Sequence, residues 1–154
     1  IAPLAGQLFA DSLRLLIATI TSLTTGYLMG WRPDVGFQWI IVIALLAIFM
    51  GWAISWVFAL FGLLAKSATM VQSISMMGMM MLSFLSNAFI PIHTLPKFMQ
   101  VLANLNPITF VITAIRQILA NGAWTSESLI VLAFGIGIVV VFAPLTVWAY
   151  NHNN

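Results

Sequence analysis

The chain has 154 residues, of which 62% are hydrophobic and only 5% are charged. Because soluble domains carry about 25% charged residues, this composition excludes an ordinary soluble domain and indicates an integral membrane protein. The chain has no cysteine, which excludes disulfide and thiolate chemistry. A formal net charge of +2, with basic residues scattered along the chain, does not favour nucleic-acid binding.

Four apolar segments are predicted to span the membrane, because each approaches or exceeds the roughly 20 residues needed to cross a bilayer. They cover residues 11–29, 39–65, 68–90 and 126–150. A fifth apolar segment, at about residues 91–120, is interrupted. We therefore predict an all-α membrane protein. Residues 1–154 would form a single polytopic transmembrane helical bundle of four spans, with a re-entrant helical hairpin before the last span.

Small residues recur at helical spacing on the first two spans. On the first span they include Thr21, Thr25 and a small-xxx-small pair made by Gly26 and Gly30. On the second span they are Ala44, Ala47, Gly51, Ser55, Ala59 and Gly62. Close helix packing explains such stripes, since small side chains let backbones approach. Lining of a substrate path is the alternative.

The third span is the most polar of the four. Its stripe consists of Gln72, Ser75, Met79, Ser83 and Ser86, with Asn87 beside them. Hydrogen-bonding groups that face lipid are costly, so this stripe should face other helices or a cavity. Structural hydrogen bonds between helices and a substrate path both remain open. We take seven residues as the candidate path residues: Thr21, Thr25, Gln72, Ser75, Met79, Ser83 and Asn87.

Six methionines crowd the same third span. They are Met70, Met76, Met77, Met79, Met80 and Met81. Methionine is flexible and polarizable, so the cluster could fill a core or form an adaptable wall for apolar substrates. A thioether site for Cu(I) is a third reading, which no cysteine supports.

The interrupted segment is too apolar for an ordinary loop and too broken for a span. Pro91, Pro96 and Pro107 each remove a backbone donor and oppose helix continuation. Two short helices that enter the membrane edge and turn back fit this pattern, provided that protein or a water-filled cavity covers them. Arg116 would either reach the headgroups or pair with Glu127.

No residue pattern supplies an energy source or a catalytic centre. The phosphate-binding pattern G-x-x-x-x-G-K-[ST] is missing from the sequence. No group of histidine, cysteine and carboxylate residues has metal-ligand spacing. We predict neither a catalytic nor a metal site, and the energy for any uphill transport would come from another chain or domain.

Several short motifs follow one another in a fixed order around the interrupted segment. They are an F-x-P ending at Pro91, a Leu-Pro ending at Pro96, the Asn-Pro of Asn106 and Pro107, and Arg116. As a set they resemble the C-terminal half of type 2 ABC exporter permeases of the daunorubicin-resistance kind. The resemblance covers essentially the whole chain. It implies that the chain holds the third to sixth spans and is incomplete at its N-terminus, which is also where it begins with Ile1 instead of Met.

The resemblance implies the membrane-spanning subunit of an ATP-driven exporter, which moves an apolar or amphipathic drug or antibiotic out of a bacterial cell. Both ends of the chain would be cytoplasmic. The implied partners are a dimer of separate ABC ATPase subunits, which would carry ATP and Mg, and a second permease copy or paralogue. The chain itself would hold no cofactor and would not be an enzyme. An outer re-entrant gate would be shaped by Pro91, Pro96, Asn106, Pro107 and Arg116.

Two alternatives to drug export remain open. One is export of a lipid-linked glycan or a peptide, and the other is a non-transporting membrane scaffold or immunity protein. An ATPase that co-purifies with the protein would favour an exporter over a scaffold.

Overall fold

The computed structural model describes residues 2–65, 67–86 and 88–152. Within these ranges the chain is helical and forms no strand, so the predicted all-α fold class is confirmed. In chain order the elements are α1 (Ala2–Leu28), α2 (Phe37–Leu64), α3 (Ala68–Phe84), a 3-10 helix (Ile92–Thr94), α4 (Lys97–Asn104), α5 (Pro107–Asn121) and α6 (Ser126–His152).

Three of the described helices are long and apolar enough to cross a membrane: α1, α2 and α6. The 27 residues of α6 extend about 40 Å at a rise of 1.5 Å per residue, which exceeds the hydrocarbon thickness of about 30 Å. α4 and α5 pass the same test only as a pair, bent by 74° at the break between them. This bent pair occupies the place of the predicted re-entrant hairpin.

α3 is shorter than the segment predicted for the third span, residues 68–90. It has 17 residues and ends at Phe84. At its end the Ser86 hydroxyl donates a hydrogen bond to the carbonyl of Ser83 at 2.6 Å. Such a local side-chain bond offers the backbone an alternative to helical hydrogen bonds. The helix thus ends several residues before Pro91, up to which the third span was predicted to run.

The core lies where α2 meets α5 and α6, and α2 packs most extensively against α6. Because α2 is apolar on all sides, a central position suits it. The residues of the core are Ile43, Leu46, Met50 and Ile54 of α2, Val111, Ala114 and Ile118 of α5, and Val131 of α6. The Trp52 and Trp56 rings of α2 meet edge to face, with centroids 6.0 Å apart.

Gly135 of α6 faces the Phe49 ring of α2. A Cβ at this position would clash with Cε1 of that ring, so only glycine fits without a shift of its neighbour. About three turns further along α6, the buried Thr146 hydroxyl donates to the carbonyl of Phe142 at 2.7 Å and lies 3.3 Å from that of Trp56 on α2.

Gly26 and Gly30, predicted as a helix-packing pair, have another role. α1 ends at Leu28, so Gly30 lies beyond the helix, with a φ of +94° in the left-handed region. The Gly30 amide donates to the carbonyl of Tyr27 at 3.1 Å, and the Trp31 amide donates to that of Gly26 at 3.0 Å. These two bonds define a Schellman motif, in which glycine at the left-handed position closes the helix end. The pair therefore caps α1, and the packing prediction is wrong for Gly30.

Candidate functional site

The joint of the bent pair is made by the Asn-Pro sequence. Asn106 is the N-cap of α5, and its Oδ1 accepts a hydrogen bond from the Ile108 amide at 2.9 Å. Pro107 follows in the first turn of α5, where its missing N–H costs nothing because that donor has no helical partner. The residues that break the apolar segment in sequence therefore start α5 in structure.

Asn106 also ties this joint to the end of α3. Its Nδ2 donates to the carbonyl of Leu82 at 2.7 Å. Leu82 lies in the last turn of α3, where carbonyls lack partners within the helix. Asn106 is only 5% exposed. Its buried side-chain amide therefore satisfies a carbonyl of α3 and an amide N–H of α5 in a place that water does not reach.

The other predicted gate residues lie at the surface of the described chain. Pro91 and Pro96 are exposed, and their carbonyls accept from the amides of Thr94 and Gln100, each at 3.0 Å, at the starts of the 3-10 helix and α4. Arg116 is exposed on α5. The structure thus brings Asn106 and Pro107 together with α3, but leaves the remaining three apart from that joint.

A cavity of about 730 Å³ lies between α1, α2 and α3. Two candidate path residues of α3, Ser75 and Met79, line it. The rest of its wall comes from Gln7, Asp11, Arg14, Leu15 and Ala18 of α1, from Ser55, Phe58, Ala59, Gly62 and Leu63 of α2, and from Val71 of α3. The walls are therefore mainly apolar, with two serine hydroxyls and one charged end.

The charged end of the cavity contains a local ion pair on α1. Arg14 Nη1 lies 3.5 Å from Asp11 Oδ1, three residues before it on α1. The Arg14 side chain is 81% exposed, so the pair contributes little to stability, as exposed ion pairs generally do.

Thr21 and Thr25 do not line this cavity. Both are exposed on α1, and their hydroxyls donate to the carbonyls of Ile17 and Thr21 at 2.7 and 2.8 Å. Because each donor is satisfied within its own helix, the two threonines are compatible with an apolar surrounding. Their role in a substrate path stays a prediction.

The remaining path candidates lie apart from the cavity wall. Gln72 is exposed on α3, and Ser83 is half-buried near the end of that helix. Asn87 lies outside the described residues. Of the six candidates that the structure describes, it therefore brings together Ser75 and Met79 at this cavity.

The stripe of small residues on α2 forms part of the cavity wall. Gly51 faces Leu15 of α1, and a Cβ there would lie 2.9 Å from Leu15 Cδ2. Ser55, Ala59 and Gly62, further along the same stripe, line the cavity. The stripe thus packs against α1 at Gly51 and lines a cavity further along, and its use as a substrate path stays a prediction.

The methionines of α3 do not fill a core in the described chain. Met70, Met76, Met77, Met79, Met80 and Met81 are between 47% and 73% exposed. No residue of α3 is counted among the buried residues of this structure. This exposure does not fit the filling of a core within the described chain, and an adaptable wall for apolar substrates stays a prediction.

Comparison with known proteins agrees with this architecture. Residues 2–120 match the family described as ABC-2 type transporter. The chain is 37% identical over 153 residues to the daunorubicin resistance ABC transporter permease protein DrrB1 of Streptomyces coeruleorubidus, covering 99% of this chain and 54% of the relative. It is 26% identical over 149 residues to the "Probable doxorubicin resistance ABC transporter permease protein DrrC" of Mycobacterium tuberculosis, covering 94% and 52% respectively.

The chain spans about half the length of the curated relatives it matches. No solved structure matches it. The family match runs from the first helix through the bent pair to α5, and so includes the cavity and the Asn-Pro joint. The chain belongs to the ABC-2 type transporter family of membrane permeases.

Proposed function

We propose that the chain is part of the membrane-spanning subunit of an ATP-driven exporter, which moves an apolar or amphipathic drug or antibiotic out across the bacterial plasma membrane. The observation that carries this proposal is the 37% identity, over 99% of the chain, to a permease named for daunorubicin resistance. The energy would come from a dimer of separate ABC ATPase subunits carrying ATP and Mg. A second permease copy or paralogue would complete the path, and both ends of the chain would be cytoplasmic.

The cavity between α1, α2 and α3 fits such a substrate. Its volume of about 730 Å³ lies within the range of roughly 300–1,000 Å³ that is usual for small-molecule sites. Apolar side chains such as Phe58 and Met79 offer contact area, while Ser55 and Ser75 offer hydrogen bonds. Mainly apolar walls with a few polar groups suit an amphipathic molecule.

The bent pair of α4 and α5 is hydrogen-bonded to α3, which forms part of the cavity wall. Asn106 links the end of α3 to the start of α5, and α3 carries Ser75 and Met79. A shift of α3 along its axis would therefore strain or break the 2.7 Å bond to Leu82. We propose that this link couples substrate in the path to an outer gate that is also shaped by Pro91, Pro96, Pro107 and Arg116.

The test uses bacterial cells that express the full-length permease together with its ATPase, with daunorubicin accumulation as the readout. Ser75→Phe places a large ring in the cavity and should raise accumulation to the level of cells without the permease. Ser73→Phe is the matched control, since Ser73 is an exposed serine on the same helix that is not part of the cavity wall. Membrane abundance of both variants is measured alongside.

The outcomes separate the candidate functions. Equal accumulation in the two variants, at equal abundance, would remove the cavity from the transport path. A co-purifying ATPase without any effect on daunorubicin would favour a lipid-linked glycan or a peptide as the cargo. If no ATPase co-purifies and the permease has no effect on daunorubicin accumulation, a scaffold or immunity protein would be favoured.

A further inference from the structure

A second cavity lies between α1 and α2, towards the end opposite the Asp11–Arg14 pair. It is a groove of about 880 Å³. Most of its wall is aliphatic: Leu16, Ile20 and Leu23 of α1 and Ile41, Leu45 and Ile48 of α2. Thr19 and Thr24 also line this part, but their hydroxyls donate to carbonyls of their own helix. The one charged side chain, Arg32, lies where the two helices are joined, together with Tyr27 and Trp31. The groove therefore has a long apolar part and one cationic, aromatic end.

The length of the groove corresponds to one leaflet of a bilayer. Its wall runs from Leu16 to Tyr27 on α1 and from Phe37 to Ile48 on α2. At 1.5 Å per residue each stretch rises about 16 Å. Half of a hydrocarbon core of about 30 Å is about 15 Å. An acyl chain lying along the groove would thus end near the membrane midplane, with its headgroup near Arg32.

The Schellman motif of α1 fixes the cationic end. Its two capping bonds and the left-handed Gly30 turn the chain back over the last turn of the helix. As a result the Arg32 guanidinium carbon lies 5.3 Å from the centre of the Tyr27 ring. A cation over an aromatic face is attracted by the ring quadrupole, so the side chain is positioned before any ligand arrives.

The chemistry of this end fits a phosphate. A guanidinium presents its N–H groups as a planar fork, which binds phosphate oxygens in a bidentate manner. Arg32 is exposed, and Tyr27 and Trp31 beside it are the side chains that favour the headgroup level of membranes. The competing anion is Asp34, which is exposed and forms no salt bridge with Arg32 in the described part of the chain.

We propose that the groove between α1 and α2 binds one anionic phospholipid, with the phosphate on the Arg32 guanidinium and an acyl chain along the aliphatic walls. This inference does not depend on the proposed drug export. It rests on charge complementarity at one end, on the length of the apolar part, and on the fixed position of Arg32 over Tyr27.

A groove on α6 provides an internal comparison. It has a volume of about 590 Å³ and is lined by Ile130, Ala133, Phe134, Gly137, Ile138, Val141 and Phe142. None of these residues carries a charge. This surface can hold an acyl chain, but it has no group that selects a headgroup.

The test is native mass spectrometry of the full-length protein released from detergent micelles that contain equal amounts of phosphatidylglycerol and phosphatidylcholine. The wild-type protein should retain phosphatidylglycerol in preference. Arg32→Gln should lower its retention about tenfold, since a hydrogen bond to a charged group contributes enough for one decade in affinity. Arg14→Gln removes an arginine charge near the middle of α1, at a residue that does not line this groove, and should leave retention unchanged.

A second pair of variants tests the apolar part. Ala44→Trp fills the groove and should abolish preferential retention, whereas Ala133→Trp, in the α6 groove, should not. Variants are compared only as monodisperse peaks in size-exclusion chromatography, and Arg32→Lys, which keeps the charge, replaces Arg32→Gln if the latter aggregates. Lys should lower retention less than Gln would, but measurably.

Four results would overturn the proposal. They are equal retention of the two lipids by the wild type, unchanged preference in both Arg32 variants, unchanged preference in Ala44→Trp, and displacement of the lipid by inorganic phosphate alone. The last would indicate a site for free phosphate. Retention of neither lipid by the wild-type protein would overturn it as well.

Discussion

α5 and α3 are both short apolar helices, yet their surroundings differ sharply. In α5, Ala114 and Ile118 have no exposed surface, because α2 and α6 enclose them. In α3 no residue is counted as buried, and its methionines are exposed. The molecule therefore has a closed side, formed by α2, α5 and α6, and an open side, formed by α1 and α3 against α2.

The difference shows that the same residue types serve two purposes. On the closed side, Gly135 lets α6 approach the Phe49 ring of α2. On the open side, Ser55, Ala59 and Gly62 leave space that becomes a cavity wall. Where the partner helix presents a large side chain, a small residue lets the two helices pack together. Where the partner helix lies further away, small residues leave the space between the helices unfilled.

The largest expected effect comes from breaking the closed side at Gly135. Gly135→Leu should lower the free energy of unfolding by about 3 kcal/mol, because a side chain would have to displace the Phe49 ring and the α2 backbone. The measurement is unfolding in mixed micelles by increasing SDS, followed by tryptophan fluorescence. Gly137→Leu is the control, since a Cβ there meets nothing within 4 Å. Equal destabilisation of the two variants would show that α6 does not pack on α2 through Gly135.

A smaller effect is expected at the joint between the two sides. Asn106→Ala should cost about 2 kcal/mol, since it removes an N-cap and leaves the carbonyl of Leu82 without its donor. Asn106→Ser keeps a capping hydroxyl but is too short to reach Leu82, so it should cost about half as much. The same SDS titration measures both. If Ser were as costly as Ala, the cap of α5 would contribute nothing, and the bond to α3 would be the whole effect.

The smallest effect compares single hydroxyls on the two sides. Thr146→Val removes a buried hydroxyl between α6 and α2 and should cost about 0.6 kcal/mol, the typical value for a polar contact between membrane helices. Thr25→Val removes an exposed hydroxyl on α1 that bonds only to its own helix, and should change the free energy of unfolding by less. Thermal unfolding curves of the purified variants show which of the two is less stable. A larger loss at Thr25 would contradict the assignment of α1 to the open side.

Local features of the fold could be predicted from the sequence. The three long apolar helices follow from segment length and hydropathy, and the bend of 74° falls at the Asn-Pro that the proline pattern had marked. The limits of such local reasoning show at the end of α3. Its prediction relied on apolar character up to Pro91, whereas the hydrogen bond of the Ser86 hydroxyl ends the helix earlier.

By itself the sequence determined what depends on neighbours along the chain: apolar length, helix starts and stops, and the faces on which small or polar residues recur. Only the tertiary structure decided which of those faces meet. Ser75 and Gln72 belong to one predicted stripe, but Ser75 lines a cavity with α1 and α2 while Gln72 is exposed. The physical reason is that helical periodicity orients a side chain about its own axis and carries no information on the distance to the next helix. That distance is set by packing elsewhere, as at Gly135 against Phe49.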